Sequence, residues 1–169
     1  MSLLGLDVGL AGCRALVVSV DGAILADIGR SYDPQLGPEA CELDARSIWA
    51  ATSAVLREAV FRTNRDPIAA LAIASAGEAI TPLSRDGTVL AGCLIEDSAR
   101  DHGLTSHLLA QLGQDRLYDI TGQVSGRSYT LSRLSRVQRE LPDVYRSAWR
   151  FVLLGGLVAH LLGASTTCD

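Results

Sequence analysis

The stretch that decides the fold opens the chain and reads Leu3-Leu4-Gly5-Leu6-Asp7-Val8-Gly9-Leu10-Ala11-Gly12-Cys13-Arg14-Ala15-Leu16-Val17-Val18-Ser19-Val20. An apolar run ends at Asp7, the chain turns through Gly9 and Gly12, and a second apolar run carries Arg14 near its start. This pattern predicts two antiparallel strands joined by a tight turn, with the Asp7 carboxylate directed into the turn. Glycines let backbone N–H groups approach an anion, but a neighbouring aspartate repels phosphate unless a divalent cation lies between them. The stretch therefore favours a magnesium-nucleotide over a bare phosphate, with an ordinary hairpin as the alternative.

The segments that follow have the order of an α/β fold. Residues 20–23 form a second hairpin signal, which leads into a third strand over 24–28. Asp44 is the predicted N-cap of a helix whose apolar residues continue at helical spacing to about Arg62. The continuous small apolar run of residues 68–75 predicts a strand buried on both faces. Because a helix joins it to the first hairpin, we expect it to lie parallel to the first strand.

A further hairpin and a helical region complete the predicted organisation. Residues 79–83 and 88–95 flank the turn signal Ser84-Arg85-Asp86-Gly87. From residue 98 onward the pattern is mainly helical. A chain of 169 residues with 48% hydrophobic residues can bury a sizeable core. We therefore expect one domain, with an α/β core over 1–97 and a mainly helical part over 98–169.

The charged residues exclude several classes of site. All 15 basic residues are arginines, so lysine is excluded as a catalytic base or a phosphate clamp. The net charge of -4 and the scattered arginines argue against nucleic acid as the main partner. Only Arg133, Arg136 and Arg139 cluster, on one face of a predicted helix, and we interpret them as a solvated face rather than a binding surface.

The cysteines and the apolar segments predict a soluble protein. Four cysteines lie far apart, without the close paired spacing of a zinc site. No signal-peptide pattern precedes them, so we expect reduced thiols in a cytoplasmic protein. The longest apolar stretch, residues 151–164, is too short to span a bilayer, so no membrane partner is expected.

The order of the segments resembles the FGGY family of carbohydrate kinases. The segments that carry the likeness are Ile73-Ala74-Ser75-Ala76-Gly77-Glu78-Ala79-Ile80-Thr81-Pro82-Leu83-Ser84-Arg85-Asp86-Gly87-Thr88-Val89-Leu90 and Leu94-Ile95-Glu96-Asp97-Ser98-Ala99-Arg100. They are similar to a strand that ends in a substrate-contacting turn, an Asp-Gly hairpin and a Trp-x-Asp-x-Arg segment. Downstream, Thr121-Gly122, residues 141–145 and residues 161–169 resemble the family's Thr-Gly, Pro-Glu-x-Tyr and Leu-Thr-Gly blocks. The resemblance implies an RNase H-like (actin-like ATPase) mixed sheet with flanking helices and a helical extension.

The resemblance also implies roles for individual residues. The positions that would face ATP are Asp7, Gly9, Gly12 and Arg14, with Asp7 also the Mg²⁺ ligand. The positions that would face the sugar are Gly77, Glu78, Asp97 and Arg100. Two of these have alternative readings, since Glu78 is also compatible with a solvated loop acid and Asp97 with the N-cap of a helix at Ser98.

Several positions depart from the family pattern. The hydroxyl-bearing residues that follow Asp-x-Gly in the family are replaced by Leu10, Ala11 and Gly12. Ile95 stands where a tryptophan is expected, and Arg100 lies one residue late because Ala99 occupies the arginine position. Phosphate binding by backbone N–H groups would survive these losses, whereas sugar specificity depends on the altered positions.

The function implied is that of the N-terminal, sugar-binding domain of a kinase. Such an enzyme transfers the ATP γ-phosphate to a hydroxyl of a ketose or polyol such as xylulose or glycerol. The family's catalytic base and adenine-binding C-terminal domain lie beyond the segment matched here, past Asp169, so the isolated chain is expected to be inactive. A non-catalytic sugar- or nucleotide-binding relative and another actin-like ATPase are the alternatives, and a homodimer is left open.

Overall fold

Two four-stranded sheets organise the residues that the computed structural model describes, which are 1–32, 42–95, 109–122 and 130–165. The strands are β1 (Ser2–Val8), β2 (Gly12–Ser19), β3 (Ile24–Ser31), β4 (Glu42–Leu43), β5 (Ile68–Ser75), β6 (Ile80–Leu83), β7 (Cys93–Leu94) and β8 (Arg150–Leu153). The helices are α1 (Ala45–Arg62), α2 (Gln114–Thr121), α3 (Thr130–Glu140), α4 (Pro142–Ser147) and α5 (Leu154–Leu161).

The first sheet has the strand order β3-β2-β1-β5 and confirms the predicted pairing. β1, β2 and β3 are antiparallel neighbours, and β5 lies parallel to β1. Alternate residues of β1 are buried, namely Ser2, Leu4, Leu6 and Val8, because successive side chains of a strand point to opposite faces. One face of this sheet therefore forms the main core and the other is open.

Helix α1 covers the buried face and makes the crossover to β5. Its start is fixed by Asp44, whose carboxylate accepts hydrogen bonds from the backbone N–H groups of Arg46 and Ser47, as the sequence predicts. Ile48, Val55 and other apolar residues at helical spacing are buried against β2 and β3.

Strand β5 has the predicted position and direction, but its predicted burial is wrong. Most of its residues are exposed, and Leu71 retains 40% of its accessible surface. Among the described residues β5 pairs only with β1, so it lies at an edge of the sheet. A run of small apolar residues specifies the strand, whereas its burial depends on what packs on each side.

The second sheet, with the order β4-β7-β6-β8, corrects the predicted hairpin. The turn is present, with Gly87 at a φ of 86° and its N–H donating to the Ser84 carbonyl. However, the return strand predicted over 88–95 is reduced to a bridge at Val89 and the two residues of β7. Pro82 of β6 has no N–H to support a longer ladder, and β6 pairs instead with β8, which the sequence pattern did not predict.

The later helices contain the predicted arginine stripe, but of its three members only Arg139 is exposed. Arg133 and Arg136 of α3 are 3% and 6% exposed. Arg136 donates through Nε to the Glu140 carboxylate at 3.1 Å, and Arg133 lies near Glu78. Charge patterning alone cannot show which face of a helix is covered by other elements. Within the described part of the chain, no helix has the length and apolar character needed to cross a bilayer.

The buried thiol of Cys93 predicts a loss of stability at alkaline pH. Burial raises its pKa from 9.0 to about 11. The unfolded chain therefore releases this proton at lower pH than the native chain, and the free energy of unfolding should fall by roughly 2 kcal/mol between about pH 9 and pH 11. Urea unfolding at several pH values measures this slope, which should be shallower in Cys93→Ala. Parallel slopes in the variant and the parent would contradict the assignment to Cys93.

Candidate functional site

The parallel pairing of β1 and β5 brings two predicted site segments to one edge of the first sheet. Asp7 is in register with Ala74, and Val8 with Ser75. The N–H of Ala76 donates to the Val8 carbonyl at 2.9 Å, which extends the pairing beyond the end of β5. Because the carboxyl ends of parallel strands meet at the same edge, the turn after β1 and the segment after β5 are neighbours.

The turn after β1 separates the roles of its two predicted glycines. Its closing bond runs from the Gly9 N–H to the Gly12 carbonyl at 2.8 Å. A Cβ on Gly12 would lie 2.4 Å from the carbonyl oxygen of Arg30 in β3, so packing of the backbones requires glycine there. A Cβ on Gly9 would meet only the Gly12 oxygen, at an ordinary 3.4 Å. Backbone packing alone therefore requires glycine at position 12, with no ligand involved, whereas packing does not require glycine at position 9.

Asp7 and Arg14 lie on the open face of the sheet as cross-strand partners. Arg14 is engaged by Asp27 of β3, to which its Nε donates at 2.6 Å while its NH2 group donates to the second carboxylate oxygen. These bonds lower the pKa of the Asp27 carboxyl, and Asp27 and then Asp7 raise the pKa of Arg14. The three side chains border a cleft of about 530 Å³ whose remaining lining is apolar.

Glu78 is placed by an unusual backbone conformation. Its φ of 66° is left-handed, the only such value for a non-glycine residue among the described residues. The carboxylate accepts hydrogen bonds from the backbone N–H and the hydroxyl of Thr130, at the first turn of α3. Arg133 NH1 lies 3.9 Å from the same carboxylate oxygen. Glu78 is therefore not a simple solvated loop acid, since it ties the end of β5 to the N-terminus of α3.

The remaining predicted residues have different outcomes. A Cβ on Gly77 would meet no atom within 4 Å, so this glycine lies in open space at the sheet edge. Asp97 and Arg100 lie outside the described residues. The partners that sequence reasoning missed are Asp27, Thr130 and Arg133. The sequence carries only a weak indication that Arg133 is buried. Arg133 and Arg136 alternate at helical spacing with apolar Leu134 and Val137, which is compatible with a covered helix face.

The donor set around Asp7 is compatible with magnesium only if other ligands are supplied. Within the described ranges, no group of three or more His, Cys, Asp or Glu side chains is placed to hold a metal ion. Magnesium in nucleotide sites is commonly held by one or two carboxylates together with phosphate oxygens and water. The exposed Asp7 carboxylate beside the turn fits that pattern.

Comparison with known proteins identifies the family. The sequence profile of the N-terminal domain of the FGGY family of carbohydrate kinases matches residues 2–169. The chain belongs to this family. A glycerol kinase of Methylobacterium radiotolerans is 28% identical over 122 residues, which cover 69% of this chain and 24% of that protein.

Solved structures of xylulose and glycerol kinases share the fold. Xylulose kinase from Rhodospirillum rubrum matches all of this chain and 36% of that chain, with a TM-score of 0.90 and 20% identity. Plasmodium falciparum glycerol kinase with ADP matches 95% of this chain and 33% of that chain, with a TM-score of 0.80 and 14% identity. The mixed sheet with flanking helices is thus the actin-like ATPase fold of these kinases, and the chain spans about a third of their length.

The two turn glycines should respond differently to substitution. Gly12→Ala places a Cβ against the backbone of β3 and should lower the free energy of unfolding by roughly 1–3 kcal/mol. Gly5→Ala is a matched control in β1, where a Cβ would meet nothing within 4 Å. Gly9→Ala should also fold nearly as stably as the parent. Chemical denaturation measures the free energy of unfolding of all three variants. If Gly12→Ala is as stable as the parent, the backbones of β2 and β3 can move apart to admit the Cβ without loss of stability.

Glu78 can be tested for its structural role. Glu78→Ala removes the bonds to Thr130 but keeps the left-handed backbone strain, so the free energy of unfolding should fall by about 1–2 kcal/mol. Glu78→Gly removes the same bonds and relieves roughly 1 kcal/mol of strain, so it should be the more stable of the two. Thermal unfolding compares them with the parent. If Glu78→Ala equals the parent, Glu78 contributes nothing to holding α3.

Proposed function

We propose that this chain is the sugar-binding N-terminal domain of an ATP-dependent kinase that phosphorylates a hydroxyl of a ketose or polyol such as xylulose or glycerol. The observation that carries the proposal is the parallel register of β1 and β5. It sets Asp7 and the Gly9–Gly12 turn beside the segment that holds Gly77 and Glu78. A phosphate-facing turn and a hydroxyl-binding segment must be neighbours for the phosphoryl group to pass between two substrates.

On this proposal, the phosphate end of magnesium-ATP binds at the edge of the sheet formed by the carboxyl ends of β1 and β5. Asp7 would hold the metal ion, which supplies charge neutralisation for the transferred phosphoryl group. Gly9 would allow close approach of a phosphate to the backbone, because a Cβ is absent there. Arg14 would contribute its charge on the open face, although Asp27 already engages its Nε and NH2 groups in this conformation.

The sugar would lie at the carboxyl end of β5. Glu78 and Asp97 are the proposed acceptors for sugar hydroxyls, and Gly77 and Arg100 are the other proposed sugar contacts. One Glu78 carboxylate oxygen accepts both Thr130 bonds, so the other is the one proposed for a sugar hydroxyl. The catalytic base and the adenine contacts are proposed to come from a C-terminal kinase domain, without which the chain is inactive.

A non-catalytic sugar- or nucleotide-binding relative is the second candidate. Two observations favour it: the turn lacks hydroxyl side chains at Leu10 and Ala11, and Glu78 is committed to α3. The two candidates share the binding site and differ in turnover. A kinase polypeptide that contains this domain should phosphorylate the sugar, whereas a binding module should not.

Isothermal titration of the chain with magnesium-ATP and with xylulose or glycerol tests the site. Asp7→Asn should weaken magnesium-ATP binding about tenfold or more and leave the melting temperature nearly unchanged, since an exposed strand-end carboxylate contributes little to the core. Asp21→Asn, in the turn at the opposite end of β2, is the matched control. In a complete kinase, Asp7→Asn should lower turnover by orders of magnitude. Equal affinity in both variants would remove Asp7 from the site.

A further inference from the structure

The turn between β1 and β2 is stabilised by hydrogen bonds from a residue outside it. Leu10 and Ala11 at its tip are exposed and carry no polar side-chain atom, so neither can brace the turn by a side-chain hydrogen bond. One residue beyond the end of β3 supplies two bonds instead. The Tyr32 hydroxyl donates to the Gly9 carbonyl at 3.1 Å, and the Tyr32 backbone N–H donates to the Ala11 carbonyl, also at 3.1 Å.

The hydroxyl of Tyr32 is fixed in position and stays protonated, so it remains a hydrogen-bond donor. The side chain is only 6% exposed and packs within the main core cluster, which fixes the position of the ring. Burial, followed by the neighbouring Cys13, Cys93 and Asp7, raises the pKa of the phenol above its ordinary value of 10.0. The phenol therefore stays protonated through the neutral range and can donate but not lose this proton.

The bond to Gly9 sets the direction of a donor on the far side of the same peptide. A trans peptide is planar, and its C=O and N–H point in opposite directions. Fixing the Gly9 carbonyl toward Tyr32 therefore turns the Leu10 N–H away from Tyr32. The bond to the Ala11 carbonyl turns the Gly12 N–H away from the end of β3 in the same manner. Oriented backbone N–H groups of this kind bind anions.

We propose that Tyr32 is a positioning residue for the Gly9–Gly12 turn, whose hydroxyl fixes the Gly9–Leu10 peptide so that the Leu10 N–H is presented to a phosphate oxygen. The phosphate half of this inference rests on the proposed function. The bracing half rests only on the contacts of Tyr32. Tyr32 thus fixes the turn conformation from the core side, which the side chains of the turn itself cannot do.

Amide exchange measured by NMR on this chain tests the bracing. The Gly9 N–H closes the turn, so it should exchange about three- to tenfold faster in Tyr32→Phe than in the parent, the range expected for loss of one hydrogen bond. Tyr118→Phe is the control, because Tyr118 is 52% exposed on α2. Unchanged exchange of strand amides such as Leu6 and Val17 establishes that the variant is folded. Equal Gly9 exchange in both variants overturns the proposal.

A second measurement keeps the bracing testable in the parent alone. A hydroxyl proton held by the Gly9 carbonyl should give a resolved resonance with a nuclear Overhauser effect to Gly9. Its absence at low temperature, where a buried hydroxyl proton exchanges slowly, counts against the bond even if Tyr32→Phe fails to fold.

Titration with magnesium-ATP tests the phosphate half. The Leu10 amide should shift on binding, and Tyr32→Phe should weaken the affinity about three- to tenfold while Tyr118→Phe does not. A Leu10 shift with equal affinity in the two variants overturns the phosphate half. If the parent binds no magnesium-ATP but Gly9 still exchanges faster in Tyr32→Phe, the bracing is upheld and the proposed function fails.

Discussion

The parallel pairing of β1 with β5 is the constraint on which the rest of the site depends. Strands that run parallel cannot be joined by a short turn, so the chain must cross over through α1 before β5 can be added. Asp44 fixes where that helix begins, and its apolar face packs on the sheet. The crossover returns the chain so that Ala76 reaches the Val8 carbonyl. Residues 70 positions apart in sequence thereby share one edge, as Asp7 and Gly77 do.

The elements that the sequence predicted well are those specified by local signals. β1, β2, β3 and α1 each combine a clear hydrophobic period with a turn or capping residue at their ends. Burial was predicted less well, because it is a property of neighbours rather than of the segment. The apolar β5 is exposed at a sheet edge, whereas Arg133 and Arg136 are buried under other elements. From composition alone, one would expect the opposite, with the apolar strand buried and the arginines exposed.

The same distinction separates the predicted site residues from those that were missed. Asp7 and Gly9 were selected because a strand, an aspartate and a glycine turn are adjacent in sequence. Asp27, Tyr32 and Thr130 act on the site from 13, 23 and 52 residues away. Such pairs arise from register and packing, and no short motif encodes them. The structure therefore extends the predicted site mainly by adding the groups that hold its residues in place.

On the proposed function, the charges on the open face favour a metal-bound nucleotide over a free one. Asp7 and Asp27 place two carboxylates around one guanidinium, and Arg14 already directs its Nε and NH2 groups at Asp27. An approaching phosphate therefore meets a net negative surface, and the chain has no lysine to offset it. Backbone N–H groups of the turn supply partial positive charge but cannot neutralise a triphosphate. A divalent cation at Asp7 would reverse the local sign, so the carboxylate that repels free phosphate becomes the group that admits its magnesium complex.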